Sequence, residues 1–546
     1  MSKISKTVNK QRKAEKDKSV ENFMGGISYE YNPIDTLKMV TASSIFGEPQ
    51  YYRDGEFSRA SIKDNVYEVD ELFAPYSIIP DKYKGMKTSD LMEKIIDEAL
   101  DYDYKSAIEW AAVLRNEFYM RLNPQVIMVR AAIHPKRQQF NAEYPGYFSS
   151  IQKQVMKRAD EPVTQLEYYL FNNGSKKNIP NILKRNWAAR LEKCSPYEMH
   201  KYKNSGIGMI DTVRICHANS RLIDSLMTNG TVTVEDDNNT WEAKRAGGTA
   251  WKDILSSINI GHMALLRNLR GIFTETEDTE LCKQVMHQLK EGVLTGKQFP
   301  FRYYNAMKMI ESSNVNHKGL ILDTLEECID ISCDNMPKLS GKTICLSDNS
   351  GSAWGSFNSE YGKVTIAEID NLSSIITARN SDEGYIGKFG DKLIITPVSN
   401  RNGILSQCKA LSSNRCDDVG GGTENGIWLF FRDAIDNNEH WDNIFIYSDQ
   451  QAGHGGLYGK KEEMNEYNRR GFGTKKSGWS YVDAAKLIQE YRNKVNKNVN
   501  VFSVQTAGYN NVVVPEYGYR TNLLYGWTGK ELLFADAMIR FWDSKK

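Results

Sequence analysis

The sequence predicts a helical-repeat half followed by an α/β half. From about residue 36 to 335, apolar residues recur with helical spacing; for example, Leu91, Ile95 and Ala99 fall on one face of a predicted helix. After Pro337, short apolar runs alternate with helical segments, which is typical of a parallel sheet covered by helices. The 546 residues suffice for several domains of roughly 150 residues each.

The composition argues against a strongly basic, a disulfide-rich and a membrane-spanning protein. The net charge is +1, from 70 basic and 69 acidic residues, so an RNA site would have to be a local patch. The eight cysteines show no CxxC spacing, which argues against a zinc cluster or disulfide framework and predicts a reduced, cytoplasmic location. No apolar run of about 18 residues occurs, so we expect no membrane span.

We divide the chain into three parts. Residues 1–35 are rich in lysine and are predicted to form a basic disordered arm. Residues 36–336 contain many short amphipathic helices in series, which favours a helical-repeat solenoid, although no clean sequence period is present. Residues 337–546 form the predicted α/β domain.

Short apolar runs and helical segments define the α/β part. The predicted strands are Thr343–Leu346, Leu393–Ile395, Ile444–Tyr447 and Val499–Val504. The predicted helices between and after them are Trp428–Ile435 and Val482–Tyr491. Because ligands bind at the carboxyl ends of parallel strands, polar residues that follow these strands are candidate site residues.

Five oxygen-bearing residues, at two such strand ends and in a loop before a predicted helix, form a candidate metal site. Asp348, Ser350 and Ser352 form a D-x-S-x-S loop after the first predicted strand. Thr423 directly follows three consecutive glycines, and Asp449 comes shortly after another predicted strand. A hard cation such as Mg²⁺ prefers carboxylate and hydroxyl oxygens. The alternative is a turn with capping residues, which a D-x-S-x-S loop alone would not exclude.

This five-residue pattern resembles the metal-ion-dependent adhesion site (MIDAS) of von Willebrand factor A (vWA) domains. The resemblance implies a vWA-type, Rossmann-like fold that binds Mg²⁺ or another divalent cation, with one coordination position open to a partner's carboxylate or phosphate. It implies binding and no catalysis, so the protein is not expected to be an enzyme. One departure is Trp354, two residues after Ser352, where the family often has methionine; we expect it to affect packing and not the ligands.

The helical half carries short motifs that resemble the TROVE module. They are Phe46–Pro49, Tyr197–Lys203, Asp211–His217, Ala264–Leu269 and Gln298–Tyr303. A TROVE module followed by a vWA domain resembles the Ro ribonucleoprotein autoantigens and their bacterial or phage-like homologues, over about residues 36 to 545. The resemblance implies a ring of HEAT-like repeats closed by the vWA domain.

The same resemblance implies a role in RNA quality control or as a scaffold. Single-stranded 3′ ends of misfolded RNA would enter the ring, and noncoding Y-like RNA would bind the outer basic surface. A monomer is expected, with a protein partner such as an exoribonuclease. The candidate RNA-binding residues are Arg130, Lys136, Arg137, Lys184, Arg185, Lys201, Lys203, Arg214, His217 and Arg267.

Other interpretations remain open at this point. The basic stripe could be a solvated face, and Trp187 and Tyr202, which could stack on bases, are residue types more often found in cores. The alternative function is a vWA metal-dependent protein-assembly factor with incidental RNA binding. A Mg²⁺-dependent nuclease is a third, less favoured hypothesis.

Overall fold

The computed structural model describes the chain in segments. The described residues are 19–21, 27–29, 32–42, 88–203, 208–230, 232, 240–354, 365–421, 426–448, 461–476, 479–506, 520–525 and 531–544. They fall into two compact units. The helical unit comprises Tyr31–Leu72 and Ile79–Asn239, and the mixed unit comprises Met1–Glu30, Phe73–Ile78 and Thr240–Lys546.

Two short strands lie within the predicted basic arm. Strand β1 (Ser19–Glu21) pairs antiparallel with β2 (Ile27–Tyr29). The rest of the arm before residue 32 lies outside the described residues, so its predicted disorder stays a prediction. No described helix has the length and apolar character needed to cross a membrane.

The described part of the helical unit is a series of helices, and from α2 to α9 they are joined by short connections. They are α1 (Pro33–Ala42), α2 (Thr88–Tyr102), α3 (Tyr104–Asn116), α4 (Asn123–Ile133), α5 (Arg137–Glu143), α6 (Tyr147–Val155), α7 (Glu161–Asn173), α8 (Asn181–Leu191), α9 (Pro196–Tyr202), α10 (Met209–Cys216) and α11 (Arg221–Asn229). Local signals fix several of their starts. The Asp103 carboxylate caps α3, and Ser195 with Glu198 forms a capping box on α9.

A buried chain of side-chain amides joins four of these helices. The Gln152 amide donates to Gln165 Oε1 at 2.6 Å, and the Gln165 amide donates to Gln125 Oε1 at 2.7 Å. The Trp187 indole N–H also donates to Gln165 Oε1, at 2.8 Å. Because buried polar groups are costly without partners, this network favours one mutual arrangement of α4, α6, α7 and α8.

From Thr240 onward, the mixed unit contains a second series of helices. They are α12 (Trp241–Ala246), α13 (Trp251–Ser257), α14 (His262–Glu275), α15 (Thr279–Glu291), α16 (Val293–Gly296), α17 (Pro300–Glu311) and α18 (Lys318–Ser332), followed by the 3₁₀ turn Cys333–Asn335. His262 of α14 fills a notch at two glycines. A Cβ at Gly292 would lie 2.5 Å from His262 Nδ1, and one at Gly296 would lie 2.4 Å from His262 Cδ2.

Burial of His262 in this notch makes the stability of the fold depend on pH. The Nε2 atom lies 2.7 Å from the Tyr303 hydroxyl, and burial lowers the pKa of His262 below its ordinary value. The unfolded chain therefore binds a proton more readily than the folded protein does, and stability should fall as the pH drops below about 6.5. We expect His262→Gln to flatten the loss of unfolding temperature between about pH 6.5 and pH 5. An unchanged pH dependence in this variant would contradict the assignment.

A six-stranded sheet follows the helices. Its strands are β3 (Leu339–Asp348), β4 (Ser381–Phe389), β5 (Leu393–Pro397), β6 (Asn443–Ser448), β9 (Asn500–Gln505) and β10 (Thr521–Tyr525), while β7 (Gly473–Lys476) and β8 (Trp479–Val482) form a separate antiparallel pair. The sheet order is β10-β9-β6-β3-β4-β5, and all neighbours are parallel except β4 and β5. Strand β3 is therefore central.

Helices cover the sheet. They are α19 (Ile366–Arg379), α20 (Ile404–Ser412), α21 (Gly426–Asp436), α22 (Lys461–Arg469), α23 (Ala484–Lys494) and α24 (Glu531–Asp543). Apolar side chains of α21 and α23 pack with those of β3, β6 and β9 in one core. On α19, Thr377 contacts the buried Tyr447 of β6, with their hydroxyls 2.7 Å apart.

Polar contacts join the last two helices before the sheet to α19 and α20. Lys308 of α17 donates to Glu368 of α19 at 2.9 Å. Asp330 of α18 accepts a hydrogen bond from Arg379 at 2.7 Å and one from the backbone N–H of Ile404 at 3.0 Å. Helices α17 and α18 therefore pack as part of the same unit as the sheet.

Candidate functional site

The end of strand β3 holds a buried carboxylate in a defined orientation. Asp348 is fully buried, and its Oδ1 accepts a hydrogen bond from the backbone N–H of Ser350 at 2.9 Å. Its Oδ2 accepts a hydrogen bond from the hydroxyl of Ser448 at 2.5 Å. Ser448 ends β6, which runs parallel to β3. The two strand ends therefore meet at this carboxylate.

The two serines of the loop stand beside each other. Their hydroxyl oxygens, Ser350 Oγ and Ser352 Oγ, are 3.1 Å apart. Ser350 is buried and Ser352 is exposed, so the oxygens lead from the buried carboxylate toward solvent. The structure thus brings together the three predicted ligands of the D-x-S-x-S loop.

The glycine-rich segment approaches the same loop. The backbone N–H of Gly351 donates to the carbonyl oxygen of Gly421 at 2.9 Å. The end of strand β4 also lies against this segment and requires glycine there, since a Cβ at Gly390 would lie 2.2 Å from the Gly420 carbonyl oxygen. The predicted ligand Thr423, two residues beyond Gly421, lies outside the described residues. Asp449, which directly follows Ser448, also lies outside them.

An ion pair between a buried lysine and a half-buried aspartate, absent from the sequence-based prediction, anchors this segment. Lys388 of β4 has a side chain that is only 3% exposed, and its Nζ lies 2.8 Å from Asp418 Oδ1. Asp418 stands two residues before Gly420. A lysine in a strand usually indicates an exposed position, so the sequence carried no signal for this pair.

Buried amides support the loop from behind. The Asn371 side chain of α19 accepts hydrogen bonds from the Ser347 hydroxyl at 2.8 Å and from the Asn349 amide at 2.8 Å. It also donates to Asn349 Oδ1 at 3.1 Å. These contacts orient residues 347 and 349, between which Asp348 projects.

The oxygen atoms of Asp348, Ser350 and Ser352 are suitable ligands for a hard divalent cation. A carboxylate and two neighbouring hydroxyls are the oxygen ligands that Mg²⁺ prefers, and the loop already holds them in one place. No three His, Cys, Asp or Glu side chains cluster within the described ranges, so a soft-ligand zinc site has no support there. A bound Mg²⁺ would supply a coordination position for an anionic group.

The predicted RNA-binding stripe forms an exposed cationic surface of the helical unit. Helices α8 and α10 pack side by side, and the preceding loop is tied to α10 by Lys176 and Asp211, whose charged atoms are 3.9 Å apart. Arg185 and Arg214 are exposed and Lys184 is half-buried. None of these last three residues makes an ion pair within the described part of the chain.

Helix α9 adds two further cations to the same stretch of sequence. Lys201 is exposed, donates to the Tyr197 hydroxyl at 3.0 Å and lies 5.3 Å from the centre of that ring. Lys203 is half-buried at the end of the helix. His217, also exposed, ends α10 in the left-handed region with φ +56°.

The two aromatic residues considered for base stacking are engaged inside the protein. Trp187 is fully buried in the amide network and has no exposed face. Tyr202 accepts a hydrogen bond from Arg158 Nη2 at 2.7 Å, and that guanidinium lies 4.9 Å from its ring centre. Trp187 therefore cannot stack on a base in this structure, and Tyr202 stacks on an arginine of the protein.

The structure places Arg130 in a buried network. Its Nε donates to Asp97 Oδ1 at 2.7 Å, its Nη1 donates to the Tyr168 hydroxyl at 3.1 Å, and its Nη1 lies 3.4 Å from Glu93 Oε2. Burial disfavours the charge, but the bond to Asp97 and the nearby carboxylates outweigh it and raise the pKa of Arg130. This geometry favours a structural role in joining α2, α4 and α7.

Replacing Arg130 should therefore destabilise the protein. We expect Arg130→Met to lower the free energy of unfolding by about 3 kcal/mol, because it removes the guanidinium from the buried Glu93 carboxylate and from the half-exposed Asp97. Urea unfolding followed by circular dichroism would measure this loss. Lys136→Met, at an exposed position, should change it by less than about 0.5 kcal/mol. Normal stability of Arg130→Met together with lost RNA affinity would instead support the predicted RNA contact.

The remaining predicted cations occupy different surroundings. Lys136 is exposed and its Nζ lies 3.7 Å from Asp101 Oδ1. Arg137 is half-buried and donates to the Ala132 carbonyl at 2.6 Å. Arg267 is exposed on α14, in the mixed unit. Their roles in RNA binding stay predictions.

Comparisons with known proteins identify the fold. No family model matches the chain, and no curated protein matches it in sequence. Among solved structures, the Ro (RSR) protein of Deinococcus radiodurans is similar with a TM-score of 0.60 and 13% identity, over 84% of this chain and 96% of that one. The prediction of a helical-repeat part followed by an α/β domain is confirmed, and the chain has the fold of a Ro protein.

Proposed function

We propose that this chain is a Ro-family ribonucleoprotein component that binds noncoding RNA. The observation that carries the proposal is the cationic surface of α8 and α10 in a chain with the Ro fold, where Lys184, Arg185 and Arg214 make no ion pair with any described residue. The proposed ligands are Y-like RNA and the single-stranded 3′ ends of misfolded RNA. The proposed setting is a cytoplasmic monomer that works with a protein partner such as an exoribonuclease.

The electrostatics of the chain support a local site. Its net charge of +1 provides no general attraction for RNA. Exposed cations without carboxylate partners can instead neutralise phosphates directly and release condensed counterions. Since Trp187 and Tyr202 are engaged within the protein, this surface fits contact with the RNA backbone better than stacking on bases.

We further propose that Asp348, Ser350, Ser352, Thr423 and Asp449 bind Mg²⁺. The support is the cluster of Asp348 with the two serine hydroxyls, and the Gly421 and Ser448 contacts that lead to the two ligands outside the described residues. The site would bind an anionic partner and would not catalyse.

Recovery of bound RNA tests the proposal. Protein isolated from its native cells at low salt should carry RNA that can be sequenced, and the purified protein should bind labelled single-stranded RNA in fluorescence anisotropy. Its affinity should fall steeply as the salt concentration rises. Absence of both bound RNA and salt-dependent affinity would refute the RNA function.

We expect no nuclease activity from the metal site. Lys388, a basic side chain beside the described loops, is buried and paired with Asp418, so it is not placed to act as a general base. Labelled single-stranded RNA incubated with the protein and Mg²⁺ should remain intact on a denaturing gel. Cleavage that disappears in Asp348→Ala would contradict the binding-only proposal and favour the nuclease.

A further inference from the structure

Helix α9 exposes an aromatic ring in the same stretch of sequence as the cations of α8 and α10. Tyr197 is 41% exposed, and no described aromatic ring is paired with it. Single exposed apolar side chains are common on protein surfaces, so the surroundings of this ring decide what it can bind. Those surroundings are a fixed backbone, a neighbouring lysine and an excess of positive charge.

The first turn of α9 holds Tyr197 in a fixed place. Pro196 precedes it and restricts the backbone. Glu198 follows it, and its carboxylate accepts the backbone N–H of Ser195 at 3.0 Å, while the Ser195 hydroxyl accepts the backbone N–H of Glu198 at 3.2 Å. The Glu198 carboxylate also pairs with Arg190 of α8. Tyr197 thus stands between two anchored residues, which lowers the entropy cost of ordering it against a ligand.

A lysine one turn later fixes the direction of the ring. Lys201 Nζ lies 3.0 Å from the Tyr197 hydroxyl oxygen and 5.3 Å from the ring centre. The nitrogen is therefore at the hydroxyl end of the ring and does not cover a ring face. Lys201 also lies 6.0 Å from the ring centre of Tyr202, whose hydroxyl accepts a hydrogen bond from Arg158 at 2.7 Å, and Arg158 is paired with Asp160. The Tyr197 ring is thus held at one edge, and its exposed face is open to solvent.

The charges along this stretch favour an anionic ligand. Lys193 and Lys201 are exposed and Lys203 is half-buried. Between Lys193 and Lys203 the one carboxylate is that of Glu198, which is already paired. Glu192, just before this stretch, is exposed. Three cations against one exposed carboxylate suit a phosphate backbone that carries its bases past the ring.

We propose that Tyr197 is a stacking platform for an unpaired base of single-stranded RNA. This inference rests on the proposed RNA binding and adds a base contact to it. The cations of α8 and α10 are proposed to contact phosphates, and Trp187 and Tyr202 are engaged within the protein. Every base has an aromatic face, so the platform accepts unpaired bases without selecting one sequence. Duplex RNA keeps its bases stacked on one another and offers none to the ring.

Two oligomers of equal length separate the base contact from the phosphate contacts. Fluorescein-labelled oligoadenylate carries bases and phosphates, and an oligomer of abasic units carries the phosphates alone. In the full-length protein, we expect Tyr197→Leu to weaken oligoadenylate binding about 10-fold and to leave binding of the abasic oligomer unchanged. The salt slope for oligoadenylate should stay as in the wild type, since stacking on a ring releases no counterions. Tyr197→Phe keeps the ring and should retain most of the oligoadenylate affinity.

A matched control and three outcomes decide the role of the ring. Tyr102, 59% exposed at the end of α2, lies outside the proposed site, so Tyr102→Leu should bind both oligomers as the wild type does. Equal oligoadenylate affinity of Tyr197→Leu and wild type would overturn the platform and leave the phosphate contacts standing. Equal losses for both oligomers in Tyr197→Leu would also overturn it, because the residue would then only hold Lys201 in place. A wild-type protein that binds neither oligomer would refute the RNA function and the platform together.

Discussion

Replacing Lys184, Arg185, Lys193 and Arg214 together with glutamate is expected to lower the affinity for single-stranded RNA by about 100-fold or more at moderate salt. Arg185, Lys193 and Arg214 are exposed, Lys184 is half-buried, and none makes an ion pair within the described part of the chain. The change therefore breaks no observed salt bridge, and it puts repulsive charges where phosphates would bind. Fluorescence anisotropy across a salt series would measure the effect.

The salt dependence gives a second measure of the same change. If each of the four residues contacts one phosphate, the slope of log affinity against log salt should become shallower by about 3. A matched control converts four exposed cations of the α/β part to glutamate, namely Lys392, Arg401, Lys409 and Lys497. The control has the same net charge, so equal losses in both variants would show a general charge effect and would refute a local site on α8 and α10.

Removal of the Asp348 carboxylate is expected to reduce Mg²⁺ affinity at least about 100-fold, which corresponds to about 2.7 kcal/mol. The carboxylate is the charged ligand among the described donors, and hydroxyls alone bind a divalent cation weakly. Asp348→Asn keeps the shape and an acceptor for Ser448 while removing the charge. Calorimetry with Mg²⁺ would measure the loss directly.

Thermal unfolding provides an independent readout of the metal site. A ligand that binds the folded protein alone raises its stability, so Mg²⁺ should raise the unfolding temperature of the wild type and leave that of Asp348→Asn unchanged. Ser448→Ala removes a neighbour of the carboxylate that is not a predicted ligand, and it should retain most of the Mg²⁺ affinity. Equal Mg²⁺ binding by wild type and Asp348→Asn would show that the site is misassigned.

The strands that the sequence predicted are short apolar runs, but they lie in different parts of the sheet. Thr343–Leu346 and Ile444–Tyr447 lie in the central strands β3 and β6, where both faces are buried and the residues form continuous apolar runs. Leu393–Ile395 is also a strand, but β5 is antiparallel to β4 and lies at the edge of the sheet. Its isoleucines at 394 and 395 are each 41% exposed, so the apolar run there did not signal burial.

Strand β4 escaped the sequence analysis for a physical reason. Its residues include two glycines and a lysine, a composition that is depleted in strands. Each has a specific place in the tertiary structure. A Cβ at Gly384 would lie 1.9 Å from the Ala378 carbonyl oxygen, one at Gly387 would lie 2.7 Å from Leu346 Cδ2, and Lys388 is buried against Asp418. These requirements come from neighbouring segments, which local sequence does not reveal.

The candidate sites were predictable to different degrees. The D-x-S-x-S spacing places its three oxygens on one loop, so local sequence was enough to bring them together. Tyr197 lies inside a quoted motif, but only the structure shows that its ring is exposed while those of Trp187 and Tyr202 are engaged. The cations of the helical part were found by their density, but density did not distinguish the exposed Arg185 from Arg130, whose partners lie on other helices.

The polar joint at Asp330 has a consequence for how this architecture can be recombined. Asp330 of α18 accepts hydrogen bonds from Arg379 and from the backbone of residue 404, and Lys308 of α17 pairs with Glu368. Helices α17 and α18 therefore form one side of an interface whose other side belongs to the α/β fold. An exchange of modules between homologues at residue 337 would separate these partners. In a natural or engineered chimaera, helices α17 and α18 should therefore come from the same parent protein as the sheet.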